Sequence, residues 1–272
     1  MKTLFMMRYS YFGTSGWRSK ASKDPGKLFS AERLKMRFEL LRDIALPSLA
    51  DQDDQDFKLA ILSSKGMPKW RKRQLVRLAY DTLGEDRVDI LFKPPSSAAN
   101  MFQNYLRARY ARDELVTQVV LDDDDAVSRD FVGLVKREAQ AAYDLRLPGK
   151  PFCFLSFPKG LSLELSDTGA SLYNRTMPFT NLGLSMVGPA GAKRNIYRIA
   201  HKNVARYNPA RAIYTQQPVY VRTLHGMNDS RALRSENALD STKMPTAVDA
   251  FPFLKKFFPK PGFHEQPQQL AA

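Results

Sequence analysis

One cysteine, Cys153, is all the thiol this chain has, so an internal disulfide and a cysteine-rich zinc site are both excluded. A reducing, cytoplasmic setting is then the default expectation. No stretch approaches the ~18 uninterrupted apolar residues of a membrane-spanning helix. The opening Met1-Lys-Thr-Leu-Phe-Met-Met-Arg8 has a short apolar run and no small-residue cleavage site; it reads as a first β-strand, not as a signal peptide. Neither a G-x-x-x-x-G-K-[ST] phosphate loop nor a G-x-S-x-G elbow occurs, and Gly13-Thr-Ser-Gly16 is too short for a phosphate-loop signature. Acids are in deficit: 28 Asp+Glu stand against 42 Lys+Arg, a net charge of +14. That imbalance points to an anionic partner, whether nucleic acid, a phosphorylated small molecule or an acidic membrane surface. One basic stretch runs from Lys193 to Arg234, where nine Lys+Arg stand against the lone acid Asp229.

What is present is an ordinary globular composition, 43% apolar and 26% charged over 272 residues, enough to bury a sizeable core. The first half alternates strand and helix patterns. Strands are expected at 2–12, 56–62, 87–92 and 117–121, and helices at 31–45, 70–83, 98–113 and 128–143. Ser30 is a candidate N-cap, Pro47 is expected to end the first long helix, and Pro68 suits a helix start. This order predicts an α/β fold with βαβ units and a mostly parallel, Rossmann-type sheet, with ligands outside the carboxyl ends of its strands. After about residue 150 the pattern becomes more antiparallel. Short strands are expected at 152–157, 161–165, 170–173, 182–187 and 219–223, a hairpin turn at Ser166-Asp-Thr-Gly169, and a helix near 195–206. No Gly/Ser or Pro linker divides the halves, so residues 1–240 read as one composite domain with an α/β half over about 1–150 and a more antiparallel half over 151–240. Residues 241–272 read as an irregular Pro-rich tail.

The most informative feature is Val119-Val-Leu-Asp-Asp-Asp-Asp-Ala126, four adjacent carboxylates at the end of a predicted strand. Such oxygen-only density suits a hard divalent cation, Mg²⁺ or Mn²⁺, that keeps positions open for phosphate oxygens. The plain alternative is a solvated acidic loop or a helix N-terminus. Two metal-dependent chemistries fit the cluster. In one, the metal bridges the diphosphate of a nucleotide-sugar and steadies the leaving charge. In the other, Asp123-Asp-Asp125 is the D-x-D of a haloacid-dehalogenase-type phosphatase, with Asp123 as nucleophile and Asp125 as acid/base. That motif normally sits on the first strand with an acidic pair late in the chain, and neither condition holds here.

Met7-Arg-Tyr-Ser10, Arg37-Phe38, Leu46-Pro-Ser-Leu49, Gln55-Asp-Phe57, Leu121-Asp-Asp-Asp-Asp-Ala126 and His225-Gly-Met-Asn-Asp-Ser-Arg231 occur in that order over most of the chain. Together they resemble the bacterial rhamnosyltransferase family, a branch of the GT-A-type glycosyltransferases. The resemblance implies a nucleotide-diphosphate-sugar donor, a D-x-D site for Mn²⁺ or Mg²⁺, and transfer to a hydroxyl of a saccharide or glycolipid acceptor in surface polysaccharide or glycolipid synthesis. It places Asp122, Asp124 and Asp125 at the metal, with His225 completing the shell or touching the diphosphate. It also places Arg8 and Tyr9 at the nucleotide base and ribose. The loop Ser63-Ser-Lys-Gly-Met-Pro68 departs from the pattern by lacking acids, and the stretch after Arg234 matches nothing in it.

Lys65 is a candidate diphosphate contact, and Asp122 and Asp123 complete the expected donor contacts. An inverting transfer needs a carboxylate base. Glu164 and Asp167 are explained by an exposed strand position and a turn, which leaves Asp229. His201 reads as structural, and His225 has a loop histidine as its plain alternative. The segment Phe251-Pro-Phe-Leu-Lys-Lys-Phe-Phe-Pro-Lys260 interleaves aromatics with lysines, which suits peripheral contact with the inner face of an anionic membrane; packing of the phenylalanines onto the domain is the alternative. A basic nucleic-acid-binding protein is the remaining class, but no recognition motif supports it and no nucleic-acid partner is expected.

Overall fold

The computed structural model describes residues 1–14, 24–146, 149–226 and 237–259. Its strands are β1 (Lys2–Tyr9), β2 (Lys58–Ser64), β3 (Val88–Lys93), β4 (Leu115–Val120), β5 (Ala126–Val127), β6 (Cys153–Ser156), β7 (Lys159–Ser166), β8 (Gly169–Thr176), β9 (Ser185–Pro189), β10 (Ala210–Ala212) and β11 (Tyr220–Leu224). Its α-helices are α1 (Pro25–Leu28), α2 (Ala31–Leu40), α3 (Leu46–Ala50), α4 (Lys69–Leu83), α5 (Ala98–Arg109), α6 (Phe131–Asp144), α7 (Val204–Tyr207) and α8 (Met244–Ala250).

Seven strands form one sheet in the order β10-β6-β9-β4-β1-β2-β3. The pairs β4–β1, β1–β2, β2–β3 and β6–β10 are parallel, and β9 alone runs antiparallel to its neighbours. The sheet therefore takes strands from both sides of residue 150. β1 lies inside the sheet between β4 and β2, and its side chains alternate between two cores. Phe5, Met7 and Tyr9 join a cluster with Leu34, Leu41 and Phe131, whereas Leu4 and Met6 join a second cluster with Phe102 and Phe154. The carboxyl ends of β1, β2, β3 and β4 share one edge, and the four aspartates follow β4 there.

The smaller sheet runs β5-β11-β7-β8. β7 and β8 form the expected hairpin, with Ser166 opposite Gly169. β5 follows directly on the aspartates and pairs antiparallel with β11, Tyr220 opposite Val127 and Val221 opposite Ala126. That pairing carries the end of β11 back to the aspartates. It requires glycine at 160, because a Cβ there would stand 2.3 Å from the ring of the fully buried Tyr220.

Three segments differ from the sequence expectation. The helical run begun at Ser30, which caps the Arg33 N–H, continues past Pro47 through a π-helical turn at Leu41–Ala45 into α3. The π-helical turn lies just before Pro47, whose missing N–H costs the run a backbone bond without ending it. The expected helix at 195–206 is instead two 3₁₀ turns, Ile196–Arg198 and His201–Asn203, followed by α7. Asn195 accepts the Tyr197 N–H and donates to the Ala99 carbonyl, so the chain is held to α5 and does not coil on itself.

The third correction concerns the tail. Residues 241–259 fold back as a 3₁₀ turn, α8 and a second 3₁₀ turn at Pro252–Lys256. Phe251, Phe253, Leu254 and Phe258 are buried in a third cluster with Leu40, Ile44, Leu163 and Val221. The phenylalanines are core residues because each covers apolar surface of the smaller sheet, and they are withdrawn from any membrane-inserting role. Phe251→Ala is expected to lower the unfolding free energy by ~3–5 kcal/mol, read from the denaturant midpoint. An unchanged midpoint would show that this cluster does not depend on the C-terminal segment.

Candidate active site

The aspartates are held by two arginines and a histidine from three distant parts of the chain. Arg8, at the carboxyl end of β1, donates through Nη2 to Asp122 Oδ1 at 3.0 Å, and Asn181 donates to Asp122 Oδ2 at 3.2 Å. Arg37, in the last turn of α2, spans two carboxylates. It donates from Nε to Asp123 Oδ2 at 3.0 Å and from Nη1 to Asp124 Oδ2 at 2.7 Å. Its Nη2 also meets Asp123 Oδ1. His225, which follows β11, lies with Nε2 3.0 Å from the same Asp124 oxygen. Asp125 turns the other way and accepts the Thr223 backbone N–H at 2.9 Å.

Burial sorts these groups by role. Asp123 is fully buried and Asp125 is 3% exposed, while Asp122 keeps 22% of its side chain accessible. Burial pushes the Asp124 carboxyl upward, but Arg37, His225 and Arg222 outweigh it, and the group lies well below the usual carboxylate range. Asp125 goes the opposite way. Burial and the neighbouring Asp124 charge raise it well above that range, and Arg222 only partly offsets them. Four adjacent carboxylates are thus stabilised by dividing them: one left open, two held by a guanidinium, and one favouring its neutral form.

This division corrects several expectations. Asp123 cannot touch a donor, because both its oxygens face Arg37 in a dry interior; the same burial removes it as a phosphatase nucleophile. Asp125 faces β11 and stands apart from the Asp124–His225 pair. Tyr9 shares the face of Phe5 and Met7, so its ring lies in the core, where burial pushes its hydroxyl up to about 12. Arg8 emerges on the opposite face, clasps Asp122 and stands 5.0 Å over the Tyr197 ring, so it orients an aspartate rather than a nucleoside. Lys65 stands exposed just past β2. Asp229 and His264 lie outside the described residues. His201 is exposed, with Nδ1 3.0 Å from the Phe179 carbonyl.

Arg37, Asn181, Arg222 and Tyr197 are site residues that sequence reasoning missed. Arg37 had a readable signal: with Leu34, Leu41 and Ile44 it occupies one helical stripe, and a cation on an apolar stripe needs a buried anion. A π-helical turn begins four residues after Arg37, a feature common at functional sites. Ser48 and Gln52 brace the chain beyond the aspartates, Ser48 accepting the Val127 N–H and Gln52 bonding both Ser128 and Val132. Two non-glycine residues adopt left-handed backbone at the rim, Ser10 just after β1 and Phe179 near Asn181. Such conformations persist where surrounding contacts enforce them, frequently beside ligands.

A cavity of about 450 Å³ opens next to this cluster, lined by Ser97, Ala99, Arg194, Tyr197, Arg198 and Ile199. Tyr197 joins the two regions, with its ring stacked on Phe102 at 4.8 Å and its hydroxyl bonded to the Met6 carbonyl at 2.8 Å. Two arginines and the start of α5 make the cavity receptive to anions.

Among the described residues, no three His, Cys, Asp or Glu side chains converge as a ready-made metal cage. Asp124 and His225 meet at 3.0 Å, and Asp122, held by Arg8 and Asn181, keeps 22% of its side chain accessible; carboxylate and imidazole groups of this kind are the donors a divalent cation takes. A family model described as "Putative rhamnosyl transferase" matches residues 2–237. The chain belongs to this family. No curated protein matches it in sequence. Among solved structures, S. aureus TarS matches with a TM-score of 0.45 at 12% identity, over 82% of this chain and 37% of that one. The 1–349 form of TarS gives 0.42 at 11%, over 82% and 60%. A "putative nucleotide-diphospho-sugar transferase" from Desulfovibrio desulfuricans G20 gives 0.39 at 9%, over 94% and 95%. This rhamnosyl transferase family member thus spans between about one third and three fifths of the TarS chains.

Proposed function

We propose that this chain is a glycosyltransferase that moves a sugar, rhamnose in keeping with its family, from a nucleotide diphosphate to an acceptor hydroxyl. The observation that carries the reading is the run of aspartates at the carboxyl edge of a mostly parallel sheet, with Asp122 braced by Arg8 and the Asp124–His225 pair braced by Arg37. Asp124 and His225, with Asp122, would hold Mg²⁺ or Mn²⁺. When bound, the ion would offset charge on the departing diphosphate. Arg8 and Asn181 fix the orientation of Asp122, and Arg37 fixes Asp124, so the carboxylates need no rearrangement as the donor arrives. Arg222, close to Asp122, Asp124 and Asp125, adds positive potential on the side of the leaving group. The cavity beside Tyr197 is the candidate seat of the donor's nucleoside, with Arg194 and Arg198 facing its phosphates. Asp229 keeps the role of acceptor base that elimination in the sequence assigns it, and a saccharide or glycolipid would supply the hydroxyl.

A thermal-shift panel of nucleotide-diphosphate sugars, rhamnose donors included, tests this with and without Mn²⁺. A donor at a hundred times its Kd should stabilise the protein by ~2.7 kcal/mol, and omission of metal should reduce that gain. Absence of stabilisation by every donor in both conditions would overturn the reading.

A further inference from the structure

The first half of α4 is built against its own helix. Its opening turn carries Lys69, Arg71 and Lys72 and no acid, where the positive end of the helix dipole disfavours cations. Pro68 at the N-cap provides no side-chain bond to offset this. Lys69, Arg73 and Arg77 stand four residues apart, an arrangement of like charges that weakens a helix further. From Phe57 to Tyr80 there are seven Lys+Arg and no Asp or Glu. Leu75, Ala79 and Leu83 bury the inner stripe, so Lys69, Trp70, Arg73 and Arg77 face outward. Trp70 is 48% exposed, with the Arg71 guanidinium stacked 4.0 Å from its ring.

We propose that this half of α4 docks the protein on an anionic lipid bilayer. Clustered cations on an amphipathic helix attract anionic headgroups, and an exposed tryptophan settles at the headgroup level. The charge pattern is complementary to such a surface and costs helix stability without one. α4 begins just past the carboxyl end of β2, the sheet edge that also carries the aspartates, so docking there holds the candidate site toward the membrane. The buried phenylalanines of residues 251–258 leave that role to Trp70. The surface is unsuited to a nucleic-acid groove because α4 lies packed along the sheet by its inner stripe and does not project.

The test is co-sedimentation of the whole chain with vesicles of phosphatidylglycerol and phosphatidylcholine, compared with phosphatidylcholine alone. Binding is expected only to the anionic vesicles, and Lys69→Gln with Arg73→Gln should weaken it about 25-fold. Lys193→Gln with Arg206→Gln, which removes equal charge from another exposed basic segment, should change it little. In a Trp17→Phe background, Trp70 is the remaining tryptophan, and its emission should shift to the blue on anionic vesicles. Equal losses from the two double variants, no sedimentation with anionic vesicles, or an unshifted emission would each overturn the proposal. So would tighter binding of a single-stranded RNA with the same variant sensitivity. None of these readouts requires a sugar donor, so they stand apart from the test of transfer.

Discussion

Arg37→Gln should lose ~3–5 kcal/mol of stability and, with it, the proposed sugar transfer. The change strips the counter-charge from Asp123, which is fully buried, and from Asp124, which is 7% exposed. A buried carboxylate left without its partner must either keep a costly charge or take up a proton. Arg37→Lys should rescue little, because an ammonium is a point charge and cannot span the two carboxylates that the guanidinium fork reaches at 3.0 and 2.7 Å. Arg37→Gln combined with Asp123→Asn should recover part of the stability, since it removes the stranded charge together with its partner. Denaturant unfolding of the three variants measures this. A wild-type midpoint for Arg37→Gln would mean that the guanidinium does not hold the aspartate loop.

Asp124→Asn and His225→Ala should each reduce kcat/KM by at least ~10²-fold, the scale of a lost metal contact worth several kcal/mol. Both should also abolish the Mn²⁺-dependent part of donor binding by calorimetry. They should differ in stability. Asp124→Asn leaves Arg37 bound to Asp123 and lifts one like charge from Asp125, but it forfeits the attraction of Arg37, His225 and Arg222 for the carboxylate, so it should cost some stability, less than Arg37→Gln. His225→Ala removes a ring whose Nε2 is 3.0 Å from Asp124 and whose exposure is only 4%, so a modest cavity cost accompanies it. If His225→Ala binds donor and metal as the wild type does, the histidine is structural and the metal set must be redrawn around Asp122 and Asp124.

In the proposed reading, the nucleotide part of the donor is selected at the cavity beside Tyr197. Arg194 and Arg198 are steadied there by Asn208 at 3.3 Å and Asn100 at 2.8 Å, so both guanidiniums are partly pre-oriented before any ligand arrives. These arginines belong to the basic stretch read from Lys193 to Arg234, and the fold places some of that charge on a concave surface next to the aspartates.

The sequence alone determined the order of strands and helices in the first half, the hairpin at Ser166–Gly169, and the position of the aspartates at the end of a strand. Those features depend on periodicity and turn chemistry, which act over a few residues. It also singled out His225, through its place in a polar turn after a late strand. Only the tertiary structure decided what the four carboxylates do individually. Asp122, Asp123, Asp124 and Asp125 look alike in sequence, yet partners 59 to 114 residues away separate an accessible carboxylate, two that share Arg37, and one turned to Thr223. The same holds for the C-terminal phenylalanines, whose composition fits a membrane surface as well as a core. Their burial follows from an uncovered face of the smaller sheet, formed when β5 pairs with β11 across more than 90 residues. Charge compensation and shape matching between distant segments are set by how the chain closes on itself, and no local pattern records them.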